Sequence, residues 1–258
     1  MLYGLLPGGK KVRSKILFDI GSIFEVDKKN ILQVAAAVEC IHAYSLIHDD
    51  LPCMDNDNLR RGKLTTHKKF SESTAILAGN SLLTIAFQIL SEKRLNLNEQ
   101  RKIKLINLLS ESSGHSGIAG GQFLDLSYEK IKKNKKQIIN MQIKKTGKLF
   151  SFCCVAPIIM SGKTKYLKKF TKIGNEIGLL FQIADDLIDL RGKTSSVGKK
   201  TKKDLKMGKA TLISLLGTNN TIKYADNLKL KIFKNLETFG KKGDDFKETI
   251  NYILNRTK

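Results

Sequence analysis

Apolar residues recur every three or four positions along most of this chain, and this spacing constrains the fold more than any other feature of the sequence. The segments that show it are 31–51, 71–92, 99–118, 137–160, 166–190 and 208–217. Clusters of Gly, Asn, Ser and Lys separate them, the chain contains only 3 prolines, and no convincing run of alternating polarity marks a strand. The pattern therefore predicts an all-α fold.

The length and composition of the chain favour a single domain, residues 1–258. Its 258 residues are 41% hydrophobic, which is enough for one large core, and no Gly/Ser-rich linker or internal repeat divides them. The longest nearly apolar run, 149–160, is broken by Ser151 and Pro157 and is shorter than the roughly 20 residues that a membrane span requires. The first residues lack the charge order of a signal peptide. We therefore expect a soluble, cytoplasmic protein without stable membrane insertion.

The chain is strongly basic, with 46 Lys and Arg residues against 24 Asp and Glu residues and a formal net charge of +22. Such an excess favours nucleic acid, an anionic surface or phosphorylated substrates as partners. Runs such as "KKNKKQIIN" and "VGKKTKKDLKMGK" are poor in arginine and barely interleaved with aromatic residues, which is typical of a solvated lysine surface. A basic helical protein that binds nucleic acid stays open as an alternative hypothesis.

One cluster of acids lies in "FQIADDLIDL", residues 181–190. On a helix Asp185 and Asp189 are one turn apart on the same face, and Asp186 is three residues from Asp189. Like charges at this spacing repel by a few tenths of a kcal/mol per pair in water, and by more in apolar surroundings such as this segment provides. Taken alone, the cluster is also compatible with a solvated acidic helix face.

Another acid cluster, the first along the chain, lies in "LIHDDLPCMDNDNLRRG", residues 46–62, and its spacing differs from that of the second cluster at 181–190. Six residues of helix turn Asp55 about 240° away from Asp49, so the two could not share a ligand on a continuous helix. Pro52 removes a helical hydrogen bond and clashes with the preceding turn. We therefore expect the helix to end or bulge near Leu51, which lets Asp55 return to the side of Asp49.

The two acid clusters together predict a metal site. Acids at the C-terminal end of a helix dipole are unfavourable unless cations lie nearby. Carboxylate oxygens without an accompanying set of His or Cys residues suit Mg²⁺, which keeps several waters and is usually shared with substrate phosphates. The predicted metal ligands, which are also the predicted catalytic residues, are Asp49, Asp50, Asp55, Asp185, Asp186 and Asp189.

The chain resembles the trans-polyprenyl diphosphate synthases, most closely the bacterial short-chain farnesyl diphosphate synthases, in an ordered set of motifs. The motifs are "GGKKVR", "ECIHAYSLIHDDLPCMDNDNLRRG", "GGQFLDL", "KKTGKL" and "FQIADDLIDL", and the match runs from residue 3 to about residue 217. The resemblance implies an isoprenoid synthase-type helical bundle around a central active-site cavity, and a homodimer. It also implies two or three Mg²⁺ ions and, as substrates, isopentenyl diphosphate and an allylic diphosphate, with no nucleic-acid partner.

The implied reaction is a head-to-tail condensation. The allylic diphosphate loses its diphosphate with the help of Mg²⁺, and the resulting carbocation alkylates the double bond of isopentenyl diphosphate before a proton is lost. Metal ions stabilise the charge that develops on the leaving group, and apolar helices keep water away from the cation. The departing diphosphate is the family's base, so no protein base is assigned.

Substrate-binding roles follow from the resemblance, position by position. The positions that match those holding isopentenyl diphosphate are Lys10, Arg13, His42 and Arg61. Those that match the allylic side and the "KTG" site are Arg60, Lys145, Thr146, Gln182, Lys199 and Lys209. Gln122 and Asp125 match a "GQxxD" element to which we assign a supporting polar contact.

Tyr44 is the position that we expect to set the length of the product. In the family the cavity floor lies about one helical turn beneath the first acid cluster, and Tyr44 stands five residues before Asp49. This arrangement resembles the bacterial farnesyl type, which makes a C15 product. Geranylgeranyl diphosphate synthase is the runner-up within the enzyme class.

Two departures bear on these expectations. Family members usually carry two more helices before the "GGK" motif, whereas Gly8 follows Met1 after only a few residues, so we expect this chain to lack those helices. A non-catalytic partner subunit of a prenyl synthase is a further alternative, although such a subunit would normally lose one of the two acid clusters. This chain keeps both.

Overall fold

The computed structural model describes residues 1–6, 8–191 and 208–255, and the regular structure in these ranges is helical apart from one short hairpin. The α-helices are α1 (Leu2–Leu5), α2 (Val12–Ile23), α3 (Lys28–Asp49), α4 (Thr66–Lys69), α5 (Glu72–Ser91), α6 (Glu99–Ser113), α7 (Ile118–Ser127), α8 (Lys135–Gln142), α9 (Lys148–Ser161), α10 (Leu167–Arg191), α11 (Leu212–Leu216), α12 (Thr218–Leu236) and α13 (Asp244–Asn255). The antiparallel strands are β1 (Leu59–Arg60) and β2 (Lys63–Leu64). The predicted all-α fold is confirmed.

Helix α9 forms the centre of the core. All of its residues from Leu149 to Met160 are buried, which explains why this segment is the longest nearly apolar run of the sequence. It packs against α2, α6 and α10. The helix ends before Gly162, whose φ of 75° is the left-handed conformation that glycine adopts most easily after a helix.

Helices α3 and α5 pack against each other and are both long and apolar enough, by length and composition alone, to cross a membrane. In α3, 56% of the most apolar 18-residue stretch is buried inside the protein, as in the core helix of a globular domain. In α5 the buried share is 33%, and Ile76 and Leu77 are exposed. Two adjacent apolar side chains of α5 are therefore exposed at the surface of the chain.

Helix α3 ends at Asp49, as Pro52 predicts, and the chain then reverses direction. The backbone N–H of Asp55 donates to the carbonyl of Asp49 at 2.9 Å, so Asp55 lies beside Asp49. The hairpin that follows turns at Arg61 (φ 53°) and Gly62 (φ 76°), which is the pair of positive φ angles that a two-residue type I′ hairpin requires.

A π-helical segment, Ile143–Gly147, joins α8 to α9, so the predicted helix 137–160 is not one regular helix. Glycines bring its neighbours unusually close. A Cβ on Gly121 of α7 would lie 2.1 Å from the backbone nitrogen of Lys145, and a Cβ on Gly178 of α10 would lie 2.3 Å from the Cα of Gly147. The π segment is therefore held tightly between α7 and α10.

Candidate active site

A cavity of about 210 Å³ brings most of the predicted site residues together. The predicted residues that line it are Arg13, His42, Asp49, Asp55, Arg60, Lys145, Thr146, Gln182, Asp185, Asp186, Asp189 and Lys209. Lys10, Tyr44, Asp50 and Arg61 are not among its lining residues. Lys199 lies outside the described residues. The two acid clusters, far apart in sequence, thus face one space.

The first acid cluster contributes Asp49 and Asp55 to the cavity wall. Burial raises the pKa of Asp49 to about 6; Lys145 opposes this effect, while Asp55 adds to it by repulsion. A carboxylate in such surroundings is stabilised by an additional cation. Asp57, which sequence reasoning did not single out, also lines the cavity. Its only signal in the sequence is its place two residues after Asp55.

The second acid cluster lies on α10, where Asp186 and Asp189 are buried. Gln182 Nε2 donates to Asp186 Oδ1 at 2.9 Å, and Thr146 Oγ1 donates to Gln182 Oε1 at 3.1 Å. This chain of hydrogen bonds runs from the π segment to the acid cluster. Thr146 and Gln182 therefore orient the Asp186 carboxylate.

Lys209 and Lys145 meet at Asp125. Lys209 Nζ lies 3.0 Å from Asp125 Oδ2 and 3.1 Å from Asp55 Oδ1, and Lys145 Nζ lies 2.7 Å from Asp125 Oδ2. Burial alone would raise the pKa of Asp125, but the two lysines outweigh it and bring the value to about 2. Asp125 thus holds both ammonium groups at the cavity, which is more than the supporting contact that the sequence predicted. Gln122 is buried on α7, but its side-chain amide forms no hydrogen bond among the described residues, so the supporting polar contact predicted for it is not found.

Asp50 is held by Arg60 and does not line the cavity. Arg60 Nε lies 3.1 Å and 3.3 Å from the two carboxylate oxygens of Asp50, and Nη2 makes a further short contact with Oδ1. Asp50 is only 3% exposed. The pair is therefore largely shielded from water, and in this structure Asp50 positions Arg60, which itself lines the cavity.

Basic side chains from the "GGKKVR" stretch gather around His42. Arg13 Nη1 donates to His42 Nε2 at 3.3 Å, and the Arg13 guanidinium lies over the ring of Phe150 at 4.6 Å. Burial lowers the pKa of His42 well below its usual value, and the charges of Arg13 and Arg61 lower it further. The imidazole is therefore neutral and accepts from Arg13.

Arg61 lies beside this group, whereas Lys10 contacts the last helix. Arg61 packs against the backbone of Gly9, where a Cβ would come within 2.6 Å of its Nη1. Lys10 Nζ lies over the Tyr252 ring of α13 at 5.1 Å. The hairpin and the "GGK" stretch are thus brought together next to His42.

Tyr44 does not line the cavity, although burial and then the charge of Asp49 raise the pKa of its hydroxyl. Its ring is partly buried against the core and meets His48 edge-on, with centroids 5.3 Å apart. The α3 residues that line the cavity are His42, Ser45, Leu46 and Asp49. The role of Tyr44 as the floor of the cavity therefore stays a prediction.

The donor set of the cavity fits Mg²⁺. Within residues 1–6, 8–191 and 208–255, no three His, Cys, Asp or Glu side chains are grouped closely enough to hold a metal ion by themselves. Carboxylates that provide only part of a coordination shell suit Mg²⁺, since it completes its shell with water and substrate phosphates. The Lys209 ammonium at Asp55 shows that this carboxylate accepts a cation at the cavity.

Comparison with known proteins gives a consistent result. The family model described as polyprenyl synthetase matches residues 1–253. The farnesyl diphosphate synthase of Micrococcus luteus is 40% identical over 257 residues, which are 99% of this chain and 88% of that protein.

Solved structures agree with the sequence comparison. An FPP/GFPP synthase from Zymomonas mobilis superposes with a TM-score of 0.87 at 40% identity, covering 95% of this chain and 84% of that one. A geranyltransferase from Helicobacter pylori, solved with magnesium and isoprenyl diphosphate, gives a TM-score of 0.86 at 34% identity, with coverages of 98% and 85%.

Proposed function

This chain belongs to the polyprenyl synthetase family, and we propose that it condenses isopentenyl diphosphate with dimethylallyl and geranyl diphosphate to give (2E,6E)-farnesyl diphosphate. One observation carries the proposal. Both acid clusters, the lysine pair at Asp125 and the Arg13–His42 pair line the same cavity. Such a site offers carboxylates for metal ions and cations for two diphosphates at once.

The aspartates of the cavity would hold two or three Mg²⁺ ions together with the allylic diphosphate. When bound, the ions neutralise the charge that develops on the departing diphosphate. The magnesium complex of the Helicobacter pylori geranyltransferase supports this cofactor. Asp49, Asp55, Asp185, Asp186 and Asp189 face the cavity and are the candidate ligands. Asp50, also predicted as a ligand, acts in this arrangement by fixing Arg60.

The lysines of the cavity bind the allylic diphosphate. Lys145 and Lys209 both contact Asp125, and Arg60 lines the cavity nearby. Diphosphate oxygens accept hydrogen bonds from these groups, so the lysines stabilise the leaving group as its carbon–oxygen bond breaks. Lys199 keeps its predicted role on the same substrate.

Isopentenyl diphosphate binds at the Arg13–His42 side. Arg13, Arg61 and Lys10 supply charge for its diphosphate, and neutral His42 keeps Arg13 in place. Phe181 and Ile118 give the cavity an apolar wall, which keeps water from the allylic carbocation until the new carbon–carbon bond forms. The proton then leaves to the departed diphosphate.

We further propose that the protein is a cytoplasmic homodimer, as its family resemblance implies, and that the dimer buries Ile76 and Leu77 of α5. Leu77 is 65% exposed and Ile76 is 44% exposed, and exposed apolar surface of this kind marks an interface. The substitution Leu77→Glu should convert the dimer to a monomer in size-exclusion chromatography with light scattering. An unchanged mass would reject α5 as the interface.

The proposed activity is tested by incubating the protein with Mg²⁺, isopentenyl diphosphate and either dimethylallyl or geranyl diphosphate, and then sizing the dephosphorylated products. We expect farnesol as the main product from both allylic substrates. Geranylgeraniol as the main product would identify the chain as a geranylgeranyl diphosphate synthase. No product from folded protein would instead favour a non-catalytic partner subunit, and salt-sensitive RNA binding without turnover would favour the nucleic-acid hypothesis.

A further inference from the structure

A second cavity, of about 610 Å³, lies between α10 and α12 and is also lined by Ile143 of the π segment. Its volume falls within the range of roughly 300 to 1,000 Å³ that is common for small-molecule sites. None of its lining residues belongs to the active-site cavity. The proposed function therefore leaves this cavity unassigned.

The rim of the second cavity carries an excess of positive charge. Lys168, Lys172 and Lys231 line it, whereas Glu176 is its one lining carboxylate. Lys231 Nζ binds Glu176 Oε1 at 2.9 Å. Within the described ranges neither Lys168 nor Lys172 forms an ion pair, so two cationic side chains remain for an anionic ligand.

Two buried acceptor atoms also belong to lining residues of this cavity. Glu176 Oε2 and Asn175 Oδ1 are buried and have no hydrogen-bond partner among the described residues. A buried acceptor without a partner costs on the order of 1 to 3 kcal/mol. Both atoms are shielded from solvent, so the lysines of the rim provide the contacts for the anionic group of a ligand. A phosphate monoester carries up to two negative charges, which matches Lys168 and Lys172.

The inner part of the second cavity is apolar. Leu179 and Leu228 are buried, and Ile143 and the half-buried Tyr224 complete this surface. Inorganic phosphate alone would leave it uncovered. The lining therefore fits a phosphate that is attached to an apolar body.

The second cavity shares two elements with the active site. The π segment contributes Ile143 to one cavity and Lys145 and Thr146 to the other. Asn175 packs against the same segment, since a Cβ on Gly147 would lie 3.5 Å from its Oδ1. A ligand bound to Asn175 and Ile143 would therefore act directly on the segment that holds Lys145.

From these observations we propose that the cavity between α10 and α12 binds a phosphate monoester with an apolar body, and that its occupancy changes the affinity of the active site for the allylic diphosphate. The binding half is independent of the proposed function, whereas the coupling half rests on it. Binding is therefore measured without turnover.

The test uses 1-naphthyl phosphate as the probe in isothermal titration calorimetry, with inorganic phosphate and 1-naphthol as partial probes. The variant Lys168→Ala/Lys172→Ala removes two exposed lysines of the rim. The variant Lys28→Ala/Lys29→Ala removes the same charge from the exposed start of α3 and serves as the control. We expect the rim variant to weaken probe binding about tenfold or more, the control to bind like wild type, and both partial probes to bind more weakly.

Kinetics test the coupling. Saturating 1-naphthyl phosphate should change the KM for geranyl diphosphate in wild type and in the control, but not in the rim variant. Absence of saturable binding at millimolar probe, or binding that the rim variant leaves unchanged, would overturn the site. Binding with an unchanged KM in an active wild-type enzyme would overturn the coupling, and a wild type that binds the probe without making product would overturn only the proposed function.

Discussion

Replacing Asp125 by asparagine should destabilise the protein, because this carboxylate holds two ammonium groups. Asp125 is 5% exposed and contacts both Lys145 and Lys209. Its pKa is about 2, compared with a model-compound value of 3.8. Since one pKa unit corresponds to about 1.36 kcal/mol, the ionised carboxylate contributes roughly 2 to 3 kcal/mol.

The sign of the pH dependence follows from the lowered pKa. The unfolded state takes up a proton near pH 3.8 and the folded state only near pH 2, so the contribution is fully present at neutral pH. It is lost as the pH falls through this window. Asp125→Asn should therefore lower the free energy of unfolding at pH 7 by roughly 2 to 3 kcal/mol.

Urea unfolding at pH 7, followed by circular dichroism, measures this loss. Asp226→Asn is the matched control, because Asp226 is exposed on α12 and should change the free energy of unfolding by less than about 0.5 kcal/mol. If Asp125→Asn also falls within about 0.5 kcal/mol of wild type, the account of the Asp125 contacts is refuted.

Other substitutions test other parts of the site. The free energy of unfolding of wild type should fall between pH 7.5 and 5.5, because the unfolded histidine takes up a proton near pH 6.5 and the buried His42 does not. In His42→Asn this fall, measured by urea unfolding, should be smaller by about 1 kcal/mol. Equal falls in the two proteins would contradict a neutral His42. Arg60→Lys keeps the charge but loses the two-point contact with the Asp50 carboxylate, so the KM for the allylic diphosphate should rise about tenfold, with a smaller effect on kcat. An unchanged KM would exclude Arg60 as a binding residue for that substrate. Tyr44→Ala should lengthen the product in chromatography of the dephosphorylated alcohols, whereas His67→Ala on α4 should not; an unchanged C15 product from Tyr44→Ala would exclude Tyr44 as the floor of the cavity.

The sequence predicts the fold and the return of Asp55 because both follow from local rules. The three- and four-residue spacing of apolar side chains defines the helices, and Pro52 ends α3 before the chain turns back. The sequence does not indicate the π segment, because the apolar spacing around Ile143–Gly147 is compatible with a regular helix. The same spacing therefore predicts one helix over 137–160.

Contacts between distant residues account for the rest of the site. Asp50 follows Asp49 in sequence but points about 100° away around the helix, and the reversal of the chain after α3, before the hairpin, brings Arg60 back to it. Nothing local to Asp125 indicates that Lys209 will bind it, because the two are 84 residues apart. Motif resemblance placed both residues near the site without giving their contact.

The central claim is that the two acid clusters act through Mg²⁺ in one cavity to join geranyl and isopentenyl diphosphate. The most direct measurement is the rate of farnesyl diphosphate formation from labelled isopentenyl diphosphate as a function of Mg²⁺, in wild type, Asp185→Asn and the exposed control Asp226→Asn. Loss of a metal contact worth several kcal/mol corresponds to a rate loss on the order of a thousandfold in Asp185→Asn, with the control unchanged. Farnesyl diphosphate formation that persists in excess chelator, or at the wild-type rate in Asp185→Asn, would contradict the claim.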